Sequence, residues 1–149
     1  MNASIDSVLV AGTPDGPVGL VVLSVDERDD VLPISIGIEE AASIARGMDA
    51  ADVGRPLTHD LLLDAVQELG GRLDRVVVSS LEDDTYIADL HLDTPRDDVV
   101  IDARPSDSLA LASRTGAPIE VESGVFEDGR RPPDEFDGLR DIREVAEEA

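Results

Sequence analysis

Apolar residues alternate with polar ones in several short runs, and these runs predict β-strands. Runs at 4–11 and 18–25 flank the Gly- and Pro-containing segment 12–17, which predicts a hairpin. Runs at 73–81 and 85–92 are joined by the acidic turn 82–84, and the second of them alternates as a half-buried antiparallel strand does. Shorter strands are predicted at 31–36, 99–101 and 119–121.

Three segments repeat their apolar residues at helical spacing and predict helices at 39–50, 59–69 and 106–114. Hairpins dominate and the helices are inserted irregularly between them, which favours an α+β fold over a doubly wound α/β fold. We therefore expect a single compact domain with mixed, mostly antiparallel sheets and about three inserted helices. The domain is predicted over 1–121, and 122–149 is predicted to be an acidic C-terminal extension, partly ordered or helical around Leu139, Ile142 and Val145.

The charge balance is strongly acidic, with 34 Asp and Glu residues against 12 basic ones and a formal net charge of −22. Every basic residue is Arg. Such self-repulsion opposes a compact state in ordinary cytoplasm, whereas in molar salt the Debye length falls to roughly 3 Å and screens it. Disorder is the rival interpretation, but 42% of the residues are hydrophobic and strongly patterned. We interpret the chain as a folded protein of a halophile-type, saline interior.

The composition also excludes several classes of function. With no cysteine, the chain has no disulfide framework, thiolate metal site or cysteine nucleophile. Its N-terminus lacks a basic region followed by an apolar core, and no apolar run approaches the roughly 20 residues that span a bilayer. We expect a cytoplasmic protein without membrane contact. No basic patch for nucleic acid is evident, so contact with a polyanion would depend on metal ions and a few arginines.

The first candidate site is the segment 102–108, where a strand ends and a helix begins. Asp102 and Asp107 could ligate a hard divalent cation, and Arg104 could hold a phosphate or carboxylate at two points. The alternative is structural: Ser106 caps the helix, Asp107 answers the helix dipole, and Arg104 pairs with a neighbouring carboxylate.

Two further candidates lie at the starts of the other predicted helices. His59 and Asp60 could point into a cleft, where the imidazole could act as a general acid or base or as a metal ligand. Alternatively Thr58 caps the helix, Asp60 serves its dipole and His59 is solvated. Glu39 could join a metal site with Glu40, although first-turn glutamates are also ordinary helix chemistry.

Five motifs together resemble the bifunctional nuclease domain family over about residues 4–121. They are Leu-Pro-Ile-x-Ile-Gly-x-x-Glu-Ala at 32–41, Arg-Pro-Leu-Thr-His-Asp-Leu-Leu at 55–62, Val-Val-Val at 76–78 with Tyr-x-Ala-x-Leu at 86–90, Ile-Asp-Ala-Arg-Pro-Ser-Asp-Ser-Leu-Ala-Leu-Ala at 101–112, and Arg-Thr-Gly-Ala-Pro-Ile at 114–119. The resemblance implies a mixed domain with much antiparallel sheet and activity on DNA or RNA. It also implies that one shared site is lined by Glu39, Thr58, His59, Asp60, Arg104, Ser106 and Asp107.

Two functions of different classes follow from these residues. The first is a metal-assisted nuclease in which Mg²⁺ or Mn²⁺ is bound by Asp102, Asp107 and Glu39, and in which His59, Asp60, Arg104 and Asp107 are catalytic. Nucleic acid would then be held through metal and arginine contacts. The second is a non-enzymatic binding or regulatory module in which the Arg-Pro-Ser-Asp segment forms a structural turn. We expect a homo-oligomer in either case.

Overall fold

The computed structural model describes residues 1–50 and 54–147, and the structural statements below refer to these residues. Eight strands form one sheet, and the first three are β1 (Asn2–Thr13), β2 (Gly16–Val25) and β3 (Val31–Ile36). The remaining five strands are β4 (Arg72–Glu82), β5 (Thr85–Asp93), β6 (Asp98–Ala103), β7 (Ile119–Val121) and β8 (Arg140–Asp141).

The sheet is open and mostly antiparallel, in the order β3-β2-β1-β7-β4-β5-β6, with β8 paired to β1 off this path. Two hairpin-linked groups, β1–β3 and β4–β6, are joined through the short strand β7, which is antiparallel to β1 and parallel to β4. The strand β7 comes late in the chain, and the helix that precedes it connects the edge strand β6 to β7 across β5 and β4. The predicted α+β fold and its mostly antiparallel sheet are confirmed.

Five α-helices accompany the sheet: α1 (Ile38–Met48), α2 (Thr58–Glu68), α3 (Pro105–Thr115), α4 (Ser123–Gly129) and α5 (Ile142–Glu147). The first three are the inserted helices that the periodicity predicts, with ends shifted by at most two residues. One detail differs at α2, since Thr58 is its first residue and Leu57 is the N-cap. The Leu57 N–H donates to Asp60 Oδ2 at 3.0 Å, which satisfies a donor that has no partner inside the helix.

The main hydrophobic core lies between one face of the sheet and the helices α1, α3 and α4. Fully buried side chains include Leu23 and Val76 from the two hairpin groups, Ile44 from α1 and Leu109 from α3. Phe126 of α4 is also fully buried in this core. A second cluster on the other face of β1–β3 contains Leu9, Leu20, Val22 and Val31, packed against Phe136 and Leu139.

The segment after β7 therefore contacts both faces of the sheet. The helix α4 and a 3-10 helix (Pro133–Phe136) precede β8, which pairs with Leu9 and Val10 of β1. Ile142, the first residue of α5, is buried in the main core.

The helix α2 differs from α1 and α3, because none of its residues is buried. Leu61, Leu62 and Leu69 are 59%, 45% and 81% exposed, and Leu63 is the α2 residue packed against the core. Apolar packing is thus a weak anchor for this helix, and its position depends on polar contacts. Within the described residues, no helix combines the length and apolar character needed to cross a bilayer.

Candidate active site

A cleft of about 580 Å³ opens where the first turns of α2 and α3 meet one face of α1. Because the three segments are far apart in sequence, the fold alone brings them together. Its lining residues are Glu39, Glu40, Ser43 and Arg46 from α1, Pro56, Leu57, Thr58, His59 and Leu61 from the start of α2, and Arg104 and Asp107 from the start of α3.

The polar side chains of the cleft form a continuous chain of hydrogen bonds. Ser43 Oγ lies 2.7 Å from His59 Nδ1, and His59 Nε2 lies 2.8 Å from Asp107 Oδ1. The other oxygen, Asp107 Oδ2, accepts from Arg104 Nε at 3.0 Å. Arg104 also lies 3.7 Å from Glu40 Oε1, so each of the three helices contributes to the chain.

The protonation of this chain follows from its acceptors. Burial raises the pKa of the Asp107 carboxyl, but hydrogen bonds from Arg104 and His59 outweigh it and hold the pKa below its ordinary value. An ionised Asp107 can only accept, so His59 Nε2 carries a proton. In the neutral ring Nδ1 then accepts the Ser43 hydroxyl proton, and in the charged ring Nδ1 donates to Ser43 Oγ. Both protonation states of His59 therefore find partners.

Arg114 of α3 holds the hydrogen-bonded side chains of the cleft in place through Ser43 and Asp60. Its side chain is only 9% exposed, and Nε donates to Asp60 Oδ1 at 2.7 Å. Nη1 donates to the backbone carbonyls of Ser43 and Ala110 at 3.0 and 2.9 Å, and Nη2 donates to Ser43 Oγ at 3.2 Å. A single guanidinium thus links α1, α2 and α3 through charge-assisted bonds.

Gly47 explains how α1 comes close enough to α3 for these bonds. A Cβ at this position would lie 2.0 Å from Ser113 Oγ and 2.9 Å from Arg114 Nη1. Helix propensity disfavours glycine here, since the residue costs roughly 1 kcal/mol relative to alanine inside a helix. Close packing against the Arg114 side chain is the reason that a glycine fits this position.

Most, but not all, of the candidate residues from the sequence meet in the cleft. Glu39, Thr58, His59, Arg104 and Asp107 line it. Asp60 faces Arg114 instead, where the Arg114 hydrogen bond holds the pKa of its carboxyl below the ordinary value of 3.8 despite partial burial. Asp102 is exposed on β6, opposite Asp89 of β5, and is not among the lining residues.

The three predicted metal ligands do not form a ligand set as they stand. Both oxygens of Asp107 accept from cationic or N–H donors, and Asp102 belongs to the strand β6 rather than to the cleft. Across residues 1–50 and 54–147, no three His, Asp or Glu side chains are grouped to hold a metal ion. We therefore derive no step through a divalent cation, and the predicted Mg²⁺ or Mn²⁺ stays a prediction.

The sequence analysis assigned no role to Ser43, Arg46 or Arg114. A signal for two of them was present, because Glu39, Ser43 and Arg46 recur at i, i+4 and i+7 and so form one polar stripe along α1. All three line the cleft. Arg46 Nε is buried and has no hydrogen-bond partner among the described residues, and the Arg46 side chain lines the cleft.

A comparison with known protein families places the chain within one of them. The bifunctional nuclease domain matches residues 21–133, which is most of the chain and includes every residue that lines the cleft. The protein belongs to the bifunctional nuclease domain family.

Individual relatives agree with this membership. An uncharacterized protein of Mycobacterium tuberculosis, found in two strains, is 44% identical over 110 residues, which are 73% of this chain and 65% of the relative. The chain thus spans about two thirds of the mycobacterial protein's length. Bifunctional nuclease 2 of Arabidopsis thaliana is 28% identical over 120 residues, which are 77% of this chain and 36% of the plant protein.

The Arg114 contacts predict a large loss of stability in Arg114→Ala. The substitution leaves Asp60 and the Ser43 carbonyl without their shared donor, and breaking a pair with a buried member costs about 3 kcal/mol or more. Chemical denaturation measures the free energy of unfolding. The matched control is Arg72→Ala, which breaks an exposed ion pair with Asp93 and should cost no more than about 1 kcal/mol. Equal losses in the two variants would contradict the role of Arg114.

The pKa of Asp60 predicts a pH dependence of stability. Because the carboxyl has a lower pKa folded than unfolded, its contribution is fully present above the unfolded value, near 3.8, and is lost as the pH falls through the folded value. Denaturation midpoints measured downward from pH 6 should therefore fall less steeply below pH 4 in Asp60→Asn than in the unaltered protein. Parallel curves for the two proteins would refute the Asp60–Arg114 linkage.

Proposed function

We propose that the protein cleaves phosphodiester bonds of nucleic acid in the cleft between α1, α2 and α3. The observation that carries the proposal is the His59–Asp107 hydrogen bond of 2.8 Å in a cleft that Arg46 and Arg104 also line. Family membership supports it, as does the nuclease name of the Arabidopsis relative. The known fold alone does not give the chemistry, so the residues of the cleft must account for it.

The His59–Asp107 pair is the acid–base unit of this proposal. In cleavage, a hydroxyl attacks phosphorus while the bond from phosphorus to the leaving oxygen breaks. With Nε2–H held by Asp107, His59 Nδ1 takes the Ser43 hydroxyl proton while Ser43 Oγ takes the proton of the attacking hydroxyl. The reverse transfer gives a proton to the leaving oxygen, so the proton count of these groups is unchanged after each turnover. Ser43 supports both states of the ring, because its hydroxyl donates to Nδ1 in the neutral ring and accepts from Nδ1 in the charged ring.

Arg46 and Arg104 hold the phosphate in this proposal. Arg104 is 66% exposed, and only its Nε is hydrogen-bonded to Asp107 at 3.0 Å, so its other N–H groups remain available. Arg46 adds a second guanidinium whose buried Nε has no partner among the described residues. Two guanidinium groups aimed at one phosphate stabilise the negative charge that develops at its oxygens.

The net charge of the chain opposes binding of a polyanion, but two arginines lie in the cleft itself. The chain carries −22 overall and repels a polyanion at long range. Within the cleft, Glu39, Glu40 and Asp107 are offset by Arg46 and Arg104, and the remaining repulsion is screened in salt. We propose that the protein works in a saline cytoplasm, and activity is therefore best measured in molar salt. The homo-oligomer expected from the sequence stays a prediction.

A binding module without catalysis is the second candidate, and one observation favours it. Both nitrogens of His59 and both oxygens of Asp107 already have partners, and Ser43 is only 6% exposed. A fully satisfied polar network of this kind also serves to fix three helices in place. In that case the Arg-Pro-Ser-Asp segment binds a ligand or a partner through Arg104 and no bond is cleaved.

Substitution of the acid–base pair separates the two functions. In molar KCl, His59→Ala and Asp107→Asn should each lower cleavage of single-stranded RNA or DNA by about 10²- to 10⁴-fold, the usual contribution of general acid–base catalysis. Two matched controls lie outside the cleft: His91→Ala on β5 and Asp102→Asn on β6 should stay within twofold of the unaltered protein. Cleavage that survives the His59→Ala/Asp107→Ala double substitution would contradict the proposal, and binding without any cleavage would favour the module.

Chelation tests the predicted metal in the same assay. Because the acid–base pair and the arginines require no metal, cleavage should persist in excess EDTA. Loss of cleavage in EDTA with recovery in Mg²⁺ or Mn²⁺ would instead support the divalent cation predicted from the sequence, and would require Asp107 to leave Arg104.

A further inference from the structure

A second cleft, of about 380 Å³, lies beside the first and is separated from it by the Arg104–Glu40 pair. Arg104 and Glu40 line both clefts, so a ligand held by Arg104 has direct access to either. The second cleft is bounded by the end of β3, the start of β5 and the first turn of α3. No residue of this cleft other than Arg104 has a role in the proposed cleavage.

The walls of the second cleft expose polar and apolar surface in about equal amounts. Pro33, Ile34, Ile36 and Pro105 supply apolar surface, while Ser35, Thr85 and Ser106 supply hydroxyl groups. A concave site that offers both apolar surface and placed hydrogen-bonding groups suits small organic ligands. Adjacent to a phosphate-binding arginine, this combination suits the heterocyclic base of a nucleotide.

Tyr86 is the aromatic ring available for stacking in this cleft. The chain has one Tyr, two Phe and no Trp. Phe126 is fully buried beneath the guanidinium of Arg28, and Phe136 packs on the second hydrophobic cluster. Tyr86 is only partly buried and lines the cleft, so a scarce residue type lies at the place where a base would stack.

The Tyr86 ring is held from behind by α4. A Cβ at Gly129 would lie 2.3 Å from the Tyr86 hydroxyl and 2.8 Å from Leu32 Cδ1, so the absence of a side chain lets the ring sit where it does. Burial, together with nearby Asp84, raises the pKa of Tyr86, and its hydroxyl is therefore a protonated donor at neutral pH. Within the described part of the chain this hydroxyl has no hydrogen-bond partner.

Two sequence motifs gain a role from this cleft. The Leu-Pro-Ile-x-Ile-Gly motif supplies residues 33–37 of the wall, and Tyr-x-Ala-x-Leu begins with Tyr86. Of the residues of these two motifs, only Glu39 and Glu40 line the His59 cleft. Both carried the family resemblance, and the fold brings both to one cavity from β3 and β5.

We propose that the second cleft binds the base of the nucleotide whose phosphate lies on Arg104, with the base stacked on Tyr86. The inference rests on the proposed function in one respect, the assignment of phosphate to Arg104. It makes Tyr86 a specificity-determining residue rather than a catalytic one. Cleavage and base binding can therefore be tested separately.

Ligand titration of the full chain in molar KCl tests this inference without turnover. Adenosine 5′-monophosphate should bind about 5- to 150-fold more tightly than ribose 5-phosphate, which has the same phosphate and no base. In a proton–nitrogen correlation spectrum of the backbone amides, adenosine 5′-monophosphate should shift the signals of residues 34–36 and 85–86, and ribose 5-phosphate should not. Tyr86→Phe should keep most of the preference for the nucleotide over ribose 5-phosphate, because the aromatic ring is retained. Tyr86→Ala should abolish this preference.

The controls distinguish failure of the base site from failure of the phosphate site. Arg104→Ala should weaken the binding of both adenosine 5′-monophosphate and ribose 5-phosphate. Binding of adenosine, which has no phosphate, should be unchanged. Equal affinities for the two phosphates in the unaltered protein would overturn the base site while leaving the proposed cleavage intact. A preference that survives in Tyr86→Ala, or nucleotide shifts confined to the His59 cleft, would also overturn it. Thermal unfolding of each variant confirms that it is folded.

Discussion

The polar side of the structure depends on the placement of one buried guanidinium. Arg114 is 9% exposed, and a buried cation is tolerated only when its N–H groups are paired. Its partners are Asp60 on α2, Ser43 on α1 and the Ala110 carbonyl on its own helix. The helix α2 has no buried residue of its own, so these bonds and the contacts of His59 hold it against the rest of the domain.

Because α2 carries His59, the bonds that hold α2 in place also determine the geometry of the cleft. Ser43 accepts from Arg114 and contacts His59 Nδ1, so a shift of the guanidinium is transmitted to the imidazole through one hydroxyl. The imidazole in turn orients Asp107, and Asp107 orients Arg104. A site held by hydrogen bonds rather than by apolar packing tolerates little change in any one member.

Within residues 1–121, local sequence patterns were sufficient for the helices and strands but not for the partners of the polar side chains. Strand alternation and helical spacing depend on neighbouring residues, and the predicted elements match the structure to within two residues at each end. The pairing of His59 with Asp107 spans 48 positions, and that of Arg114 with Asp60 spans 54. Periodicity contains no information on such distances. Asp60 was consequently assigned to catalysis although it faces Arg114, and Ser43 received no role although its polar stripe on α1 was visible.

The central claim is that Ser43, His59 and Asp107 form one ordered hydrogen-bonded chain, and the tautomer of His59 tests it most directly. The chain has only two histidines, and His91 on β5 has neither partner and provides an internal reference. In a long-range proton–nitrogen spectrum of ¹⁵N-labelled protein with neutral rings, His59 should be protonated at Nε2 alone, and this proton should exchange slowly with water. A ring protonated at Nδ1, or a rapidly exchanging mixture of the two tautomers, would contradict it.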